Sequence, residues 1–152
     1  MPEINRIVAQ INAGFKGVAW HGPSVLEVLK GVTAEQAARW RIGNGHTCWE
    51  IVLHIVCWKD AARRRISGER YIPTDEENFP AVTDISDVAW KKTLAKLKKS
   101  HKLLIETAEQ LSDRRLDKPF PTQRATPYQI LHGVVQHDIY HAGQIALMRK
   151  LK

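Results

Sequence analysis

Two histidines, His137 and His141, stand four residues apart in a segment whose apolar positions recur at helical spacing. On a helix that spacing puts both side chains on one face, with Cβ atoms roughly 5–6 Å apart. Two imidazoles so placed reach a single metal ion. The pair falls on the inward stripe Ile130, Val134, His137, His141, Gln144 or Ile145, and Met148. Burying an imidazole there costs free energy unless its nitrogens find partners, and a metal satisfies one nitrogen on each ring. His54 repeats the anomaly from another segment, inside the apolar run Ile51, Val52, Leu53, Ile55, Val56, Cys57 and Trp58. Facing helices of a bundle build metal sites from inward side chains, so His54, His137 and His141 form a candidate three-nitrogen set. No convincing fourth ligand accompanies them: Cys57 reads as a small buried hydrophobe and Glu50 as part of a helix cap. Three protein ligands and an open position characterise catalytic zinc sites, whereas structural sites are closed by four.

Three imidazoles suit a divalent ion, zinc or nickel first, with iron, manganese or copper also in range. The remaining histidines have weaker claims. His101 lies on an apolar helical stripe and reads as a core residue or a pocket-lining one. Trp20 with His21, and His46 just before a helix cap, sit in segments able to close over one end of a bundle. Trp20, His21 and His101 are the candidates for lining a pocket. His132 is out of phase with His137 and reads as peripheral.

The elements that must carry these residues are helices. Near the N-terminus Ile4, Ile7, Val8 and Ile11 recur at helical spacing, and a second piece follows Pro23 with Val25, Leu26, Val28 and Leu29. Gly14, Gly17 and Gly22 predict a broken or bent helical region between them. Thr33 with Gln36, and Thr47 with Glu50, have the spacing of capping boxes. The helix opened by Thr47 is apolar nearly all round, as a central helix is, and should end near Ser67-Gly68 with Arg63, Arg64 and Arg65 in its last turns. Residues 69–83, with Pro73 and Pro80, form a long connection that serves as a crossover or an ordered flap. A helix starting at Ser86 carries Trp90, Leu94, Leu97, His101, Leu104, Ala108 and Leu111 on one side and six lysines roughly opposite. The last helix starts at Thr126, with Pro127 in its first turn and Gln129 closing the cap. Four long helices without strand signals predict an all-α protein, an antiparallel four-helix bundle in a single domain over residues 1–152.

Composition agrees and narrows the function classes. The chain has 152 residues, seven histidines, and 23 Lys and Arg against 16 Asp and Glu, a formal charge of +7. With 43% hydrophobic residues it can bury a core of its own. Cys48 and Cys57 are too few for a disulfide framework and suit a reducing compartment. No secretion signal is evident and no apolar run approaches the roughly 20 residues of a membrane span, so the expected location is the cytoplasm, away from membranes. The positive charge raises nucleic-acid binding, but Lys91, Lys92, Lys96, Lys98, Lys99 and Lys102 form a solvated face without interleaved aromatic residues to stack on bases. No Ser-His-Asp order or Gly-rich phosphate loop competes with the histidine set.

Two segments, 45–54 (GHTCWEIVLH) and 137–149 (HDIYHAGQIALMR), together with Trp20 to Ser24 and 31–36 (GVTAEQ), resemble the DinB-like superfamily, which includes bacterial thiol S-transferases. The resemblance extends over essentially the whole chain. It implies a four-helix bundle of the DinB-like type, commonly a homodimer, holding a divalent metal through His54, His137 and His141. It also implies a small-molecule substrate, in some branches a low-molecular-weight thiol such as bacillithiol or mycothiol joined to an electrophile. The expected function is therefore a metal-dependent transferase or a hydrolase, since both need the same three imidazoles and an open position. The alternative is a bundle whose histidines bind metal for stability alone, or not at all.

Overall fold

Capping side chains set the starts of the helices. The computed structural model describes residues 1–151, and in it Thr47 Oγ1 accepts the Glu50 N–H at 3.2 Å while the Glu50 carboxylate accepts the Thr47 N–H at 2.7 Å. Thr126 and Gln129 make the same reciprocal pair, at 3.2 and 2.9 Å, and Ser86 accepts the Ala89 N–H. The elements are α1 Glu3–Lys16, α2 Val25–Leu29, α3 Ala34–Arg39, α4 Cys48–Ile66, α5 Asp75–Asn78, α6 Asp87–Ala108, α7 Asp113–Leu116 and α8 Pro127–Lys150. Among the described residues there is no strand, only the isolated bridge between Ala19 and Gly22. The expected break in the first helical region falls after Lys16. Gly14 stays helical and is buried facing α8, with Ile139 Cγ1 3.9 Å from where a Cβ would stand, an ordinary contact distance. At the end of α4, Gly68 adopts φ +94°, and a Cβ there would meet the Phe120 ring at 3.0 Å, so only glycine fits the turn without strain.

The four long helices α1, α4, α6 and α8 pack as a bundle, with α4 touching both α6 and α8. Helix α6 runs in the direction of α4: Trp49 near the start of α4 donates to Thr93 near the start of α6, and Ala62 and Ile66 share a cluster with Leu104 and Ala108. Two neighbouring parallel helices need a crossover, and residues 67–86 supply it, with α5 as its one helical turn. Helix α8 opposes α4, and α1 opposes α6, since Asn12 meets His101 while Ile4 and Ile7 cluster with Leu104 and Ala108. The bundle is thus antiparallel as a whole, two helices each way.

Two apolar clusters fill it. One holds Phe15, Trp49, Val52, Ile55, Trp90, Leu97 and Ile145, the other Ile7, Ile11, Ile66, Leu104, Leu131 and Val134. Each long helix places a polar side chain at the level between the clusters: Asn12, Lys59, His101 and Asp138. Lys59 Nζ and Asp138 Oδ2 are 2.5 Å apart and both side chains are 1% exposed. Burial pushes the lysine down and the carboxyl up, and each partner's charge opposes that shift. This pair ties α4 to α8 one turn from the histidines both helices contribute. The six lysines of α6 all face solvent, as expected of an amphipathic helix. No helix of the described residues is long and apolar enough to cross a membrane.

Candidate metal centre

His54 on α4 and His137 and His141 on α8 meet in space. The Nε2 atoms of His137 and His54 are 3.0 Å apart, those of His141 and His137 are 3.1 Å apart, and one ligand atom from each residue lies within 4.8 Å of the others. For nitrogen donors about 2.0–2.1 Å from a tetrahedral ion, the expected N···N separation is about 3.4 Å, within a few tenths of an ångström of these contacts.

The partners of the outer nitrogens fix which tautomers are present. His54 Nδ1 faces the backbone oxygen of Asn78 at 3.2 Å, and His141 Nδ1 faces Gln144 Oε1 at 2.6 Å. Each oxygen can only accept, so each Nδ1 carries the proton and each Nε2 presents a lone pair. His137 Nε2 lies against both of those lone pairs. Even with a proton of its own it satisfies one of them and leaves the other facing a nitrogen with nothing to donate. A cation at the centre resolves all three, so the donor set fits a divalent metal on its own chemistry.

The electrostatics favour the same state. Burial lowers the His54 pKa to about 4, with the neighbouring His141 adding to it against the hydrogen bonds of Asn78. Burial lowers His137 to about 3, helped by His141, His54 and Lys59. His141 is also lowered by burial, while Gln144 and Asp138 pull the other way. All three rings are neutral near pH 7, the form that binds metal.

The crossover completes the site. Asn78 Oδ1 accepts the Trp58 indole N–H at 2.8 Å, which pins the segment whose carbonyl holds His54. The Phe79 ring lies between His54 and His46, parallel to both, with centroid distances of 4.2 and 3.6 Å. A cavity of about 550 Å³ opens over the three histidines, walled by Ile51, Trp58, Phe79 and Met148 and edged by His46, Tyr140 and Gln144. Among the described residues no other side chain of metal-binding type completes a cluster with the triad. Cys57 faces a different cavity with Asp60, Tyr71 and Lys96, and the Glu50 carboxylate is engaged by the Thr47 cap.

Of the expected pocket-lining residues, Trp20, His21 and His101 are not in this cavity. Trp20 and His21 are exposed on the turn closed by the Ala19–Gly22 bridge. His101 is buried, but α6 directs it toward α1, where it stacks on Phe15 at 3.8 Å and meets Asn12 Oδ1 at 2.9 Å. His46 does reach the cavity, and His132 lies beside Tyr128, away from it. Sequence reasoning missed Asn78 and Phe79, whose approach to His54 depends on how the crossover folds. It also missed Lys59 and Asp138. A usable signal existed for these two, since Ile55, Lys59, Ala62 and Ile66, and likewise Val134, Asp138, Ala142 and Ile145, recur at helical spacing.

No curated protein and no solved structure matches the chain at a significant level. The family comparison is positive: residues 19–145, most of the chain and all three histidines, match the DinB superfamily. With a packed helical bundle and a buried three-histidine cluster able to hold a metal, the chain belongs to the DinB superfamily.

Proposed function

We propose that the protein is a metal-dependent enzyme that joins a low-molecular-weight thiol to an electrophilic small molecule. One observation carries this reading: three neutral imidazoles converge under an open cavity, with no fourth protein ligand among the described residues. A divalent ion held by His54, His137 and His141 supplies Lewis acidity, lowering the pKa of a thiol or water beside it. The chain's own residues do the rest. Asn78 and Gln144 keep the Nδ1 protons of His54 and His141 in place, so that both Nε2 lone pairs stay directed inward. Trp58, Phe79, Ile51 and Met148 form an apolar wall for the body of the electrophile and exclude water from it.

The thiol must come from outside the chain. Burial pushes the Cys48 thiol up to about 12, and that of Cys57, in its separate cavity, is raised as well. Neither serves as a nucleophile at this site. The exposed Leu147 on α8, with Tyr140 at the rim of the cavity, offers a surface for the homodimer that the family resemblance implies.

The test is a conjugation assay. Protein loaded in turn with zinc, nickel, manganese or ferrous iron is incubated with bacillithiol, mycothiol or cysteine and with monochlorobimane. The expected result is conjugation above the uncatalysed rate with at least one metal and thiol, lost in His137→Ala. Rates equal to the uncatalysed reaction for every fully loaded combination would overturn the transferase reading.

A further inference from the structure

A second cavity, of about 290 Å³, runs between α4 and α8 on the other side of the histidines. Trp58 and His137 border both cavities and form the partition between them. Its walls are apolar, built from Trp58, Ala62, Ala125, Ile130 and Val134. Among the described residues no acidic side chain lines it. Its cations are Lys59, whose charge is matched by Asp138, and Arg65, whose guanidinium has no carboxylate or hydrogen-bond partner among the described residues. Arg65 is therefore an unmatched positive charge at the end of an apolar groove.

Gly133 leaves part of the groove wall without a side chain. It lies well inside α8, where glycine is the poorest choice short of proline. A Cβ built there would meet nothing within 4 Å, so protein packing does not require glycine at this position. Trp58 and Arg65 are seven residues apart on α4, about 10 Å along the helix axis at 1.5 Å per residue. Gln129 and His137, both on the groove, span a similar length on α8.

From this geometry we infer that the groove between α4 and α8 binds an apolar monocarboxylate. Its hydrocarbon body lies along Ala62, Ile130 and Gly133, its carboxylate takes the Arg65 guanidinium, and its far end abuts Trp58 and His137. A guanidinium prefers a planar carboxylate, which it meets with two parallel hydrogen bonds. This site does not rest on the transferase reading, and metal loading is not needed for it to fill.

The probe is octanoate, titrated by Trp fluorescence and calorimetry into the purified protein, once treated with chelator and once loaded with zinc. Saturable one-to-one binding is expected in both forms, with octylamine at least tenfold weaker. Arg65→Gln should weaken octanoate at least tenfold while leaving octanol unchanged. Gly133→Leu should remove binding of octanoate and octanol, with Gly133→Ala as a folded control checked by thermal unfolding. Absence of saturable octanoate binding, equal affinity for octylamine, or unchanged binding in Arg65→Gln would overturn the proposal. Binding of octanoate with no thiol conjugation would uphold it and refute only the transferase reading.

Discussion

Replacing Gln144 by leucine tests whether the outer hydrogen bonds organise the three histidines. The His141 ring is 6% exposed, and its Nδ1–H has one partner, Gln144 Oε1 at 2.6 Å. Leucine removes that acceptor, orphans a buried N–H and frees the ring to turn or to exchange its tautomer. The Gln144 contact with Tyr140 is longer, 3.3 Å, and exposed, so its loss contributes little. Substitution of such outer partners typically lowers metal affinity roughly 10–100-fold. At 1.4 kcal/mol per factor of ten this is about 1.4–2.8 kcal/mol. Gln144→Glu keeps an acceptor oxygen at the same reach and adds a negative charge, so its affinity should match or exceed that of the wild type. Competition against a chromogenic zinc chelator at pH 7.5 measures all three proteins. If Gln144→Leu, folded to the same melting temperature, bound zinc within twofold of wild type, Gln144 would not be what holds the His141 tautomer.

Other outcomes follow from the neighbouring residues. Asn78→Ala, which unpins the crossover from Trp58, should weaken zinc by about tenfold, and Asn78→Asp, which keeps the acceptor, should restore most of it in the same titration. Asp138→Ala leaves Lys59 buried and unpaired, a loss of about 3–5 kcal/mol, and at 2–4 °C per kcal/mol the melting temperature should fall by roughly 6–20 °C. The double variant Lys59→Met with Asp138→Leu should recover most of that loss in thermal unfolding, since neither charge is left alone. Burial, with Lys59 and Lys16 nearby, lowers the His101 pKa from 6.5 to about 3. The unfolded chain therefore takes up a proton that the folded one refuses, and stability should fall as pH drops from about 6.5 toward 3. In His101→Gln, urea unfolding at a series of pH values should show a shallower decline over that window, and an unchanged slope would refute this assignment.

The parts of the site legible in the sequence are those that break a local pattern. His54, His137 and His141 replace aliphatic residues on helical stripes, and the Thr47 and Thr126 caps set the phase of those stripes, so convergence on one core can be read from spacing alone. The crossover is different. Asn78 and Phe79 belong to a stretch with two prolines and a single helical turn, and nothing in its local sequence tells which helix it will lie against. Lys59 was obscured by its neighbours, since with Asp60 and Arg63 to Arg65 it reads as the polar end of α4, yet its side chain is 1% exposed. Trp20 illustrates the opposite error. A tryptophan beside a histidine invites a place in a pocket, but the turn closed by the Ala19–Gly22 bridge leaves both exposed. The +7 charge proves to be largely the solvated outer face of α6.

Metal stoichiometry decides whether His54, His137 and His141 hold one ion between them. Purified protein is stripped with chelator, reloaded with zinc or nickel, desalted and analysed by elemental mass spectrometry beside His54→Ala, His137→Ala and His141→Ala. One divalent ion per wild-type chain is expected, with a higher melting temperature in the loaded form, and loss of both in each variant. Wild-type protein that retained no metal after reloading, or variants that retained one ion per chain, would contradict it.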